Sequence, residues 1–126
     1  MISLNKAWRS LRHACRGAVR VVREENSFRI ELLAAVLVVT AAFALGLRTA
    51  EKAILFLVIV LVLVLELTNS VFERVADLLK PRFHPYVEDI KDIMAATVLV
   101  SAIGAAAIGG LIFWPYIVEL AYGKSL

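Results

Sequence analysis

The sequence is poor in the residues from which most soluble active sites are built. Its 126 residues include one cysteine, Cys15, so no disulfide can form within the chain and the redox compartment stays open. His13 and His84 are the only histidines, and with one cysteine they supply no zinc ligand set. No G-x-x-x-x-G-K-[ST] loop is present. Gly104 and Gly109 have the right spacing, but Gly110 and Leu111 stand where Lys and Ser or Thr are needed. The motif set of the protein kinases is missing, and no Ser/His/Asp arrangement finds a supporting context.

Hydrocarbon is what the chain has in excess. Apolar residues make up 61% of it, and the mean hydropathy is +0.83. A soluble domain averages about 45–50% apolar residues, because it must cover its own surface. The length allows one domain, spanning 1–126, and three membrane crossings would use most of it. Any chemistry must then sit on the spans, at their ends, or beside them.

The formal charge of +3 is unevenly spread. Lys6, Arg9, Arg12, Arg16, Arg20, Arg23 and Arg29 are seven of the 14 basic residues. Such a cluster fits nucleic acid, an anionic membrane surface or a phosphorylated ligand, and the adjoining apolar runs favour the last two. The basic stretch is too long for a secretory signal and no small-residue cleavage motif follows, so it is expected in the mature protein.

Periodicity predicts four helical segments. From Ser3 to Arg23, apolar Leu4, Ala7, Trp8, Leu11, Ala14, Cys15, Ala18, Val19 and Val22 recur at helical spacing, with the basic residues on the remaining surface. This reads as an amphipathic helix lying in the membrane interface, the alternative being a solvated helix of a soluble bundle. Spans are expected over about 30–47, 53–67 and 93–118. A turn is expected over 48–52, the second helix is expected to continue to about Leu79, and 80–86, with two prolines, to be irregular. Small residues from Ala95 to Gly110 suit close helix packing in lipid. Trp114, Tyr116 and Tyr122 suit an aromatic belt. Basic residues concentrate before the first span and in 74–92, which places the N-terminus in the cytoplasm and the C-terminus outside.

One stripe carries chemistry. In E-L-T-N-S-V-F-E-R-V-A-D, Glu66, Glu73 and Asp77 fall within about 40° on a helical wheel, with Asn69 beside them. Glu66 follows directly on an apolar run, where an ionisable group costs about 2–3 kcal/mol or more at bilayer depth. Glu24, Glu25 and Glu31 near the first span, and Lys91 and Asp92 at the third, bring further charges to the same level. Phosphoryl transfer needs carboxylates for a divalent metal, cations for phosphates and a base near the attacking hydroxyl. A proton or cation channel would also use intramembrane acids. Ordinary juxtamembrane acids are the plainer reading, and it fits Asp77 better than Glu66.

These motifs, with H-P-x5-K-D-I-M-A-A-T-V-L-V and E-N-S-F-R-I-E-L, resemble the bacterial diacylglycerol kinase and undecaprenol kinase family over about residues 6–112. The resemblance implies an all-α integral-membrane homotrimer with composite sites between protomers, in the bacterial inner membrane. It implies transfer of the ATP γ-phosphate to a lipid alcohol, with Mg²⁺ and without nucleic acid. By the same resemblance Glu66 is the base, and Asn69 and Asp92 belong to the catalytic set. Glu25 and Glu73 hold metal, while Glu31 and Asp92 lie near the lipid headgroup. Lys6, Arg9, His84 and Lys91 contact the nucleotide phosphates, Asp77 its sugar, and His13 and Phe83 stand where the family stacks tyrosines on the base. His84-Pro85 and E-N-S-F-R-I lean toward the undecaprenol branch. A small ion-conducting oligomer and a membrane-surface adaptor are the rival readings.

Overall fold

A computed structural model describes residues 3–82 and 84–123. The described chain is helical throughout: α1 (Leu4–Glu24), α2 (Asn26–Ala44), α3 (Thr49–Leu79) and α4 (His84–Tyr122). The last three are long and apolar enough to cross a membrane. At 1.5 Å per residue α3 and α4 extend about 46 and 58 Å, so both project beyond a hydrocarbon core of about 30 Å. α3 is the central element. It packs most closely on α4, then on α2, while α1 meets α2 and α3 less extensively.

A single residue separates α1 from α2. Glu25 is extended (φ −114°, ψ 118°), ending one helix and starting the next. Its N–H bonds to the Val21 carbonyl at 2.8 Å, so the joint is fixed on the α1 side. Along α1 only Val21 is buried. Leu4, Trp8, Leu11 and Val19 face outward, Trp8 at 66% exposure, so this helix leans on the body only near its end.

α2 ends on Gly46, whose φ of 65° is a left-handed conformation that costs other residues about 1–2 kcal/mol. The Gly46 N–H reaches the Phe43 carbonyl (3.1 Å) and the Leu47 N–H reaches Ala42 (3.0 Å), closing the orphan carbonyls of the last turn. Leu47 folds back on Ala42, and with Leu55 they form a buried cluster. The turn is therefore shorter than the expected 48–52. Glu51 accepts the Arg48 N–H at 3.0 Å and the Arg48 guanidinium at 2.8 Å, so the helix starts at Thr49. Glu51 also accepts the Tyr116 hydroxyl at 2.5 Å, tying α4 to the start of α3. Tyr116 thus turns inward, whereas Trp114 and Tyr122 remain exposed.

The expected irregular stretch also contracts. Helix resumes at His84, because Pro85 lies in the first turn, where its missing N–H would have no helical partner anyway.

Gly46→Ala is expected to cost about 1–2 kcal/mol through backbone strain alone, since nothing lies within 4 Å of the added methyl. Denaturant titration in detergent micelles measures this, and an unchanged midpoint would reject the strained-turn account.

Candidate active site

The stripe read from the sequence is assembled where α3 leaves its apolar section. Glu66 is 2% exposed, and Ser70, one turn further, has no exposed surface. Asn69 Nδ2 lies 3.4 Å from Glu73 Oε1. Glu66 sits in the field of both Glu25 and Glu73, and Glu31 in that of Glu66. Four carboxylates from α2, α3 and the joint between α1 and α2 therefore share one region. Helix geometry fixes one of these relations, Glu66 to Glu73, because residues seven apart return to nearly the same face. The packing of α2 on α3 and the extended Glu25 bring in the other two.

Glu25 is held on both oxygens. Ser70 Oγ donates to Oε2 at 2.5 Å and Arg74 Nη1 donates to Oε1 at 3.0 Å. Arg74 Nη2 reaches Glu24 at 2.7 Å. Neither Ser70 nor Arg74 was among the expected site residues. Both stand at four-residue steps beyond Glu66, which was the signal available.

At the outer end of the stripe, Lys91 Nζ contacts Asp77 Oδ1 at 2.6 Å, joining α4 to α3. This segment lies about 15 Å beyond Leu67 along the helix. The hydrogen bond from Lys91 holds the Asp77 carboxyl below its usual range, and the same bond raises Lys91.

Other expected residues lie apart from the cluster within the protomer. Lys6, Arg9 and His13 are exposed on α1. His84 Nε2 lies 3.6 Å from Glu88 Oε1, and Asp92 is exposed. Phe83 lies outside the described residues.

On the other side of Glu31 runs an apolar groove of about 670 Å³, floored by α3 and walled by α2 and α4. Ala35, Val62, Ala105, Gly109 and Phe113 line it, and Glu31 is the acid on its wall. Glu31 Oε2 is buried and has no hydrogen-bond partner among the described residues. Buried polar atoms are nearly always satisfied, so this oxygen is an exception among the described residues.

Among the described residues no three acidic, histidine or cysteine side chains converge tightly enough to hold an ion alone. The donor set nevertheless suits Mg²⁺, which takes hard oxygen ligands and is commonly bound by one or two carboxylates plus substrate phosphates.

Comparison with known proteins decides the family. Residues 12–113 match the model of the prokaryotic diacylglycerol kinases. The chain belongs to that family. Its activity is accordingly that of a lipid kinase, carried on a multi-pass membrane protein. The undecaprenol kinase of Bacillus subtilis is 37% identical over 112 residues, covering 89% of this chain and 91% of that protein. A diacylglycerol kinase of Synechocystis is 36% identical over 112 residues, covering 88% of this chain but 64% of that protein. The diacylglycerol kinase of Escherichia coli is 29% identical over 92 residues, covering 73% and 75%.

The depressed Asp77 carboxyl makes a pH prediction. Its folded-state pKa lies below the unfolded one, so the pair's contribution is complete above the ordinary aspartate value and fades as pH falls through the folded value. Lys91→Met should return Asp77 to the ordinary aspartate range, read by carboxyl carbon-13 NMR in micelles. An unmoved titration midpoint would rule the pair out.

Proposed function

We propose that this lipid kinase transfers the γ-phosphate of ATP to the terminal hydroxyl of a polyprenyl alcohol such as undecaprenol. The observation that carries the reading is buried Glu66 in the field of Glu25 and Glu73, with Glu31, on the wall of an apolar groove, in the field of Glu66. A hydrocarbon chain in the groove brings its hydroxyl to the end where the carboxylates stand. The choice of a polyprenol over diacylglycerol is supported by His84-Pro85, by the Glu25–Ile30 run, and by an alignment spanning 91% of the Bacillus subtilis undecaprenol kinase.

In this reading Glu66 accepts the alcohol proton as the new oxygen–phosphorus bond forms and the bond to the ADP oxygen breaks. Asn69 and Asp92 orient the reacting groups, and Glu31 accepts a hydrogen bond from the lipid headgroup. Glu25 and Glu73 would hold Mg²⁺, which when bound would offset phosphate charge. Lys91 and His84 approach the phosphates, Asp77 the ribose, and Phe83 and His13 the adenine. Lys6 and Arg9 are carried away from their own cluster by α1, which supports a composite site completed by a neighbouring copy in a homotrimer. The N-terminus and the α3–α4 connection face the cytoplasm, where ATP is found.

Glu66→Gln keeps the carboxylate's shape and removes its basicity. It is expected to preserve ATP binding while lowering turnover by two orders of magnitude or more, on the scale of general-base catalysis (about 10²–10⁴-fold). Labelled ATP with a panel of lipid alcohols in mixed micelles measures it. Near-wild-type turnover would remove Glu66 from the base role, and equal rates with undecaprenol and diacylglycerol would remove the substrate preference.

A further inference from the structure

Glu25 is an unusual carboxylate to assign to a metal, because α3 already occupies both its oxygens. Ser70, wholly buried, gives Oγ to Oε2, and Arg74 gives Nη1 to Oε1. The same guanidinium reaches Glu24 with Nη2, and Nη1 also bonds the Ser70 carbonyl at 2.9 Å. Arg74 is thus anchored to its own helix while it spans both acids at the α1–α2 joint.

We propose that Ser70 is a positioning residue and Arg74 an internal counter-cation for Glu25. Metal loading then exchanges one cation for another at a carboxylate whose aim is unchanged. The proposal rests on the reading of Glu25 as a metal ligand. Ser70 uses one lone-pair direction of Oε2 and leaves the other free, while Arg74 holds the Oε1 direction that it yields when an ion arrives. Ser70 is neutral, so it fixes direction without opposing a cation. Arg74 is charged, so it offsets the repulsion between Glu25 and Glu66 when no metal is bound and competes when metal arrives. Glu24 gives the displaced guanidinium a partner, so Arg74 need not be left without an acceptor.

The two roles predict opposite signs, which a general structural role would not. Mn²⁺ binding is followed by electron paramagnetic resonance on the purified full chain in micelles with a non-hydrolysable ATP analogue. Ser70→Ala should weaken binding about tenfold, as loss of an orienting partner does. Arg74→Gln should tighten it about threefold, the scale of a half-exposed ion pair, and Arg74→Lys should stay near wild type. Arg74→Gln should also melt at a lower temperature in chelator and gain more from Mn²⁺ than wild type. Unchanged binding in Ser70→Ala, or weaker binding in Arg74→Gln, overturns the proposal. Glu25→Gln separates it from its premise: if that variant binds Mn²⁺ normally, the metal assignment itself fails. If it loses Mn²⁺ while Ser70→Ala and Arg74→Gln match wild type, only the positioning and counter-cation roles fail.

Discussion

In hydrocarbon a backbone amide without a partner costs several kcal/mol, so a chain that must carry acids out of the membrane can do so only on an uninterrupted helix. α3 meets that constraint from Thr49 to Leu79. Its apolar section provides the surface on which α2 and α4 pack, and its continuation delivers Glu66, Asn69, Glu73 and Asp77 at rising heights on one face. A break anywhere between Glu66 and Asp77 would separate these groups in rotation as well as in distance. The groove, the carboxylate region and the Lys91–Asp77 pair are all referenced to this one rod.

Against that rigid element, the joint at Glu25 is minimal. One extended residue separates the two helices, and its own side chain enters the cluster. The geometry of the joint and the geometry of the site are therefore one problem, and contacts from Ser70 and Arg74 address both. N-terminal to Val21, α1 has few such constraints, which leaves its basic residues exposed.

How much could be read from the residues alone depended on whether a feature lies within one helix or between two. The stripe on α3 was legible because seven- and four-residue spacings fix a common face whatever the neighbours do. The apolar lengths likewise gave the three spans. Ser70 and Arg74 escaped because a helical wheel shows where a side chain points but not what stands opposite. The partner of Tyr116 was hidden for the same reason, because its acceptor, Glu51, is 65 residues away. The helix starts were misjudged where polar or proline residues looked like loop. Glu51 folding back on Arg48, and Pro85 in a first turn, make those residues part of the helices instead.

Tyr116 has one more consequence through its neighbour. Pro115 lies inside α4 and has no N–H to offer the Leu111 carbonyl, so the helix loses a rung there. The very next residue is fastened to α3 by the Glu51 contact. The missing rung and the contact to α3 fall at adjacent residues, so α4 is held from its neighbour where its own ladder is interrupted. That end of the bundle is secured between helices rather than along one.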